Sequence, residues 1–143
     1  MIIREMQIDD LDQVMPIEED LFSVPWSSVG FFSFLLRDDA LFLVAEDQGE
    51  ILGYCGVLMV LDQGDIVNVG VKSERQQQGI GRKLLMALIR KTGEKGVTSL
   101  YLEVRASNRA AISLYESLGF RRLGVRKGYY EEPKEDGITM CRS

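Results

Sequence analysis

Apolar and polar positions alternate along this chain in two rhythms, and the switches between them mark out the elements. Met1–Gln7 alternates like a first strand. From Asp9 or Asp10 to about Phe22 the period lengthens to that of a helix, with Leu11, Val14, Ile17 and Leu21 as its apolar stripe. Pro16 should kink or interrupt that helix. After the loop Ser23-Val24-Pro25-Trp26, Ser27 or Ser28 caps a short Phe- and Leu-rich helix to about Arg37.

Three strands follow, Ala40–Glu46, Ile51–Leu61 and Ile66–Val71. They are separated by the turn segments Asp47-Gln48-Gly49-Glu50 and Asp62-Gln63-Gly64-Asp65, which suits an antiparallel meander. Gly70 inside the third strand marks a bulge or a close backbone approach. Helical spacing returns at Gly79–Glu94, carried by Ile80, Leu84, Leu85, Leu88 and Ile89, and Gly93 and Gly96 bracket its end. The remaining elements are a strand Val97–Val104, a helix Asn108–Leu118 stopped by Gly119, and strands Phe120–Tyr129 and Gly137–Cys141 around the polar loop Glu131–Asp136. Helices interleaved with strands predict an α/β or α+β fold on a mixed sheet, and 143 residues without a linker or repeat fit one domain, 1–143.

Composition removes several chemistries. There is no histidine, so no Ser-His or Cys-His nucleophile pair can exist. Zinc sites built on His are excluded too, and the two isolated cysteines, Cys55 and Cys141, make no metal knuckle; we expect no metal. Both read as buried thiols. No apolar run is long enough to span a bilayer and the N-terminus does not resemble a signal peptide, so the expected location is cytoplasmic, with no membrane partner. The net charge of −5 hides a split: residues 1–70 carry a balance of −12, and residues 71–143 one of +7. One half suits a cationic ligand and the other an anionic one, unless folding interleaves them as solvated surface. With a pI of about 4.8 and no aromatic-rich basic motif, direct nucleic-acid binding is not expected.

The anionic ligand has an obvious seat. Gln76–Gly81 joins a strand end to a helix start, where backbone N–H groups lack intrahelical partners and the helix dipole adds positive potential. Arg75, Arg82 and Lys83 surround it. The spacing fits neither a P-loop nor a dinucleotide fingerprint, whose third glycine is replaced by Leu84. It does fit [RQ]-x-x-G-x-[GA], as Gln76-Gln77-Gln78-Gly79-Ile80-Gly81.

That pattern resembles the pyrophosphate loop of the GNAT acetyltransferase superfamily. Leu102-Glu103-Val104-Arg105-Ala106-Ser107-Asn108 and Ala110–Phe120 are similar to one GNAT branch, the bacterial ribosomal-protein-alanine N-acetyltransferases. Pro25-Trp26-Ser27 and Gly128-Tyr129-Tyr130 also look like that branch. The likeness spans nearly the whole chain and is most specific from Asn68 to Phe120. Gln77 departs from it, since related loops often carry Arg there. The resemblance implies a GNAT fold, with a mixed central sheet of about seven strands, about four flanking helices and a bulge that splays the two central strands. It implies acetyl-CoA as co-substrate, held by Gln76, Gln77, Gln78, Gly79, Ile80, Gly81 and Arg82, with Asn108 touching it and Val69, Gly70 and Val71 pairing with its pantetheine arm. A Val71 or Gly70 N–H would then stabilise the tetrahedral intermediate.

Acetyl transfer to an amine needs a base, and without histidine Glu103 is the natural candidate: a lone carboxylate in the apolar strand Leu100–Val104, where burial would raise its pKa. By itself it reads rather as a carboxylate on an exposed strand face. Tyr115 reads as a core aromatic at helical spacing or as the proton donor to the departing thiolate. Asn108 reads as a helix cap or a coenzyme contact. The resemblance assigns Glu103 the base role, acting through water, and Tyr115 the acid role. It also implies the acceptor, the N-terminal α-amine of a small-subunit ribosomal protein, whose pKa near ~8 makes it easier to deprotonate than lysine at ~10.4. Trp26 and Tyr130 are candidates for shaping the acceptor groove, Trp26 alternatively anchoring its loop. Other GNAT activities, on lysine side chains or small amines, and a non-catalytic acetyl-CoA-binding module remain open readings. The expected protein is a monomer or weak oligomer.

Overall fold

The computed structural model describes all residues from Met1 to Ser143. Seven strands form one sheet: β1 (Ile2–Glu5), β2 (Ala40–Asp47), β3 (Glu50–Val60), β4 (Gln63–Val71), β5 (Ser99–Arg105), β6 (Arg121–Glu131) and β7 (Lys134–Arg142). Four helices accompany them: α1 (Leu11–Leu21), α2 (Ser28–Leu35), α3 (Ile80–Glu94) and α4 (Arg109–Ser117). The sheet order is β1-β2-β3-β4-β5-β7-β6. Every neighbouring pair is antiparallel except β4 and β5, which the α3 crossover makes parallel. No helix is long and apolar enough to cross a membrane.

The element order matches the sequence pattern, and the differences have local causes. α1 runs through Pro16 without interruption, because Pro16 lies on its exposed side and the carbonyl it frees meets water. β4 starts at Gln63 rather than Ile66, since a tighter turn at Leu61 and Asp62, with Leu61 at φ 56°, replaces the expected loop. The polar loop Glu131–Asp136 is a tight hairpin that lets β6 and β7 extend toward each other. Gly70 is not the bulge. The register of β4 against β3 shifts between Ile66, opposite Val57, and Asn68, opposite Gly56, leaving Val67 unpaired. Gly70 meets the other expectation, close approach: a Cβ there would fall 2.6 Å from the Tyr54 ring.

Two cores sit on opposite faces of the sheet. Leu84, Leu85 and Leu88 of α3, with Ile112 and Tyr115 of α4, close over Leu43, Cys55, Leu102 and Met140. Val14 and Ile17 of α1 and Phe31 of α2 cover Phe42, Val44, Ile51 and Tyr54. Each fully buried Leu contributes about 2 kcal/mol of burial free energy. Helices α1 and α2 pack on β2–β4 and leave the outer face of β5, β7 and β6 uncovered, which is why β6 is exposed along most of its length.

The site follows from the one parallel pair. β4 and β5 pair only at Gln63–Ser99, Gly64–Leu100 and Asp65–Tyr101. The next residue but one is the bulge, which adds twist and bends β4 away from its neighbour. Beyond it the two strands diverge into a V-shaped gap.

Candidate active site

A cavity of about 700 Å³ fills that gap. Its walls are Ile66–Val69 of β4, Leu102–Arg105 of β5, Asn108, Tyr115, the α1–α2 loop around Trp26 and the β6–β7 hairpin around Tyr130. The Ser23 hydroxyl donates to the Glu132 carbonyl, so loop and hairpin touch and form an arch over it. A second cavity of about 580 Å³ continues across the uncovered face, past Asp65, Tyr101, Arg126 and Thr139. Glu103, Tyr129 and Tyr130 line both.

On the β4 wall, strand alternation decides which backbone groups are free. Lys72 N–H donates to Leu52 O at 2.9 Å, so Lys72 and, two residues back, Gly70 aim their N–H groups at β3. Val69 and Val71 therefore present theirs to the gap. Of the two N–H groups considered from the sequence, that of Val71 faces the gap and that of Gly70 does not. The Val71 carbonyl is already taken by Gln76 Nε2 at 3.1 Å, which ties the loop to the strand end.

The loop 76–81 is shaped by two left-handed residues, Gln77 at φ 60° and Gly79 at φ 83°. Gly79 is the N-cap of α3, and only glycine takes this conformation without cost. Lys83 N–H is the first to bond back, to Gly79 O at 3.1 Å, so the N–H groups just before it face outward as anion donors. The room at Gly81 is a lesser matter, because a Cβ there would meet Leu114 at 3.5 Å and Val71 at 3.7 Å, ordinary contacts. The side chains of Gln76, Gln77 and Gln78 are exposed. Arg82 is held by Ser117 at 2.6 Å and Arg75 by Gln78 at 3.2 Å, which leaves Lys83 the freer cation.

On the β5 wall, alternation puts Leu102 and Val104 in the core and Glu103 on the cavity face. The burial expected around Glu103 is therefore not found: its apolar sequence neighbours point the other way, and it is half-buried. Tyr115 is buried in α4, edge-on to Phe120 at 5.7 Å, and its hydroxyl meets no protein partner. Burial pushes its phenol well above the ordinary tyrosine range. It stays protonated across the neutral range. Asn108 caps α4 through Ala111 N–H at 3.2 Å, so its carbonyl oxygen is committed and its NH₂ is free.

Across the cavity, the contacts of Trp26 fit the loop-anchor reading. It stacks on Phe34 at 4.7 Å and lines the cavity. Tyr130 lies under the Arg105 guanidinium at 4.4 Å, and desolvation pushes its phenol up to about 12. Arg105 also donates to Pro133 O and Glu132 O, each at 2.9 Å, and meets Glu135 at 3.2 Å, bracing the hairpin against β5. Sequence reasoning missed this brace. It also missed Glu18, which sits where the stripe Leu11, Val14, Leu21 calls for a hydrophobe; that misplaced carboxylate was the available signal.

A family model described as the acetyltransferase (GNAT) family matches residues 11–120. The chain belongs to the GNAT acetyltransferase family. This acetyltransferase is 38% identical over 141 residues, 97% of its length and 95% of the relative's, to the [ribosomal protein bS18]-alanine N-acetyltransferase of Escherichia coli. Its structure matches the crystal structure of the E. coli ribosomal-protein-S18-alanine N-acetyltransferase with a TM-score of 0.91 and 37% identity, over 99% of this chain and 92% of that one. It shares its fold with the paia N-acetyltransferase of Thermoplasma acidophilum in complex with coenzyme A, at TM-score 0.83 and 18% identity, over 99% and 98% of the two chains.

Proposed function

We propose that this acetyltransferase carries the acetyl group of acetyl-CoA to the N-terminal alanine of ribosomal protein bS18 in the cytoplasm, by direct transfer in a ternary complex. The observation that carries the reading is the splayed gap, in which Glu103 and Tyr115 line one cavity beside the free N–H groups of β4. The near-full-length likeness to alanine N-acetyltransferases points to the acceptor.

In this reading the α3 N-terminus and the loop 76–81 hold the pyrophosphate, and the β4 edge at Val69 pairs with the pantetheine arm, which leaves the Val71 N–H for the acetyl oxygen. Glu103, directly or through water, takes a proton from the α-ammonium, and the amine nitrogen then bonds to the thioester carbon. The Val71 N–H steadies the oxyanion. As the carbon–sulfur bond breaks, Tyr115 gives its proton to the thiolate, and the second proton shed by the nitrogen returns to the Tyr115 oxygen, which leaves a neutral amide, a thiol and the phenol restored. Neither cysteine takes part, since both are buried and the pocket residues suffice without an acetyl-enzyme. Asn108 offers its NH₂ to the coenzyme, and Trp26 and Tyr130 frame the acceptor. The acidic N-terminal half favours a basic ribosomal tail.

The test is mass spectrometry of small-subunit ribosomal proteins after incubation with acetyl-CoA. An acetyl group on the N-terminal alanine of bS18 is the expected result. Acetylation confined to internal lysines sinks the α-amine assignment, and none on any protein leaves a coenzyme-binding module as the better reading.

A further inference from the structure

The Glu18 carboxylate is 2% exposed and faces no cation. Three donors converge on it instead. Tyr54 Oη at 2.7 Å and Asn68 Nδ2 at 3.0 Å reach Oε1, and the Trp26 backbone N–H reaches Oε2 at 2.9 Å. A carboxylate only accepts hydrogen bonds, so the Asn68 amide must turn its NH₂ toward it. The planar amide then directs Oδ1 the other way. That oxygen has no protein partner. No buried side-chain polar atom in the structure lacks one, so Oδ1 lies at the surface of the cavity that Asn68 lines.

A lone acceptor on a side chain that is 9% exposed is selective about what it meets. A thioester carbonyl or a thiolate offers it no donor; an amine does. The pantetheine arm carries amide N–H groups too, but strand pairing offers them the Val69 carbonyl, which opens to the gap on the same side as its N–H. Val69 and Val71 pack toward α3 and the loop, whereas Asn68 points to the α1 side with Tyr54 and the Trp26 loop. We infer that Asn68 Oδ1 receives an N–H of the acceptor's α-amine, and that Glu18 is the positioning residue that fixes the Asn68 amide in the required orientation. Glu18 anchors the Trp26 loop with its second oxygen, so one buried carboxylate sets both the orienting acceptor and the wall beside it. This inference rests on the proposed amine acetylation.

Glu18→Gln is the discriminating variant. The isosteric amide can keep all three bonds, but only one way: Oε1 takes the Trp26 N–H, and the NH₂ donates to Tyr54 Oη and to Asn68 Oδ1. Asn68 must then turn over and present its own NH₂ to the cavity, donor against donor. With a synthetic peptide bearing a free N-terminal alanine followed by basic residues, we expect the peptide KM of Glu18→Gln to rise about tenfold or more. The acetyl-CoA KM should stay near the wild-type value, and the Tm should fall only by the few degrees that go with the Tyr54 O–H losing its acceptor. Asn68→Ala should raise the peptide KM similarly, and the double variant should be no worse than Asn68→Ala alone, because Glu18 acts through Asn68. An unmoved peptide KM in Asn68→Ala, additive effects in the double variant, or a rise in acetyl-CoA KM instead would each overturn the inference. A wild-type enzyme inactive on the peptide overturns this and the proposed function together; an active wild type with unmoved variants overturns this alone.

Discussion

The two walls of the gap are built on different principles. The wall of β4, the loop and α3 is made of main chain: outward N–H groups, a left-handed Gly79 and the free edge of a strand, with the glutamine side chains of the loop exposed. The wall of β5 and α4, with the Glu18–Asn68 pair across from it, is made of individual side chains, each fixed by a neighbour or by burial. Backbone donors bind any pyrophosphate that fits, whatever the side chains around them. Proton transfer and amine orientation need particular atoms at particular places. Substitution should therefore separate the walls: loop variants act on acetyl-CoA, and β5–α4 variants act on turnover and its pH dependence.

The largest effect should come from Tyr115→Phe, which removes one buried hydroxyl and little else. Turnover should fall by about 10²-fold or more with the acetyl-CoA KM nearly unchanged. Steady-state kinetics decide it, and undiminished turnover would take Tyr115 out of the mechanism. Glu103→Gln sharpens the same wall. At neutral pH, kcat/KM for the peptide should drop about tenfold or more, then recover as pH rises past the α-amine pKa near ~8, where the amine sheds its own proton. A pH profile parallel to wild type would clear Glu103 of the base role. Because burial raises the Tyr115 phenol, its proton is kept across this window. The wild-type kcat should then show no descending limb below pH ~10, and a fall between pH 8 and 9 would contradict the assignment.

The coenzyme wall should answer differently. Gly79→Ala forces a side chain into φ 83°, at roughly 1 kcal/mol of backbone strain, and should raise the acetyl-CoA KM several-fold while leaving the pH profile alone. Gly81→Ala should matter least among the glycines, with less than about threefold change in acetyl-CoA KM, because its methyl meets only ordinary contacts. The smallest effect concerns stability. Tyr54→Phe deletes one of three donors to Glu18 and should cost about 1 kcal/mol, a Tm drop of roughly 4 °C by calorimetry. A loss several times larger would mean that the network holds more of the fold than its hydrogen bonds suggest.

Period and punctuation were enough to read the order of all eleven main elements, since a helix stripe and a strand alternation are local properties of the chain. The loop proposed to hold the pyrophosphate was legible for the same reason: a strand end, glycines and a helix start lie within ten residues. Glu103 was visible as a carboxylate among apolar neighbours, but its surroundings were misjudged, because flanking residues in a strand point away from it. What the sequence alone determined is thus what depends on near neighbours: the elements, the glycine turn that opens α3 and, through its motifs, the family.

Tertiary structure decided the rest. It moved the bulge from Gly70 to Val67, because register is set by the partner strand, here the Val57–Gly56 step of β3. It chose Val71 over Gly70 as the free donor, because β3 claims alternate N–H groups. It joined Glu18 to Asn68, fifty residues apart, and Arg105 to a hairpin almost thirty residues on. Hydrogen bonds and buried charge are satisfied in space and not along the chain, so a glutamate in an apolar helix stripe stays an anomaly until the fold brings its three donors to it.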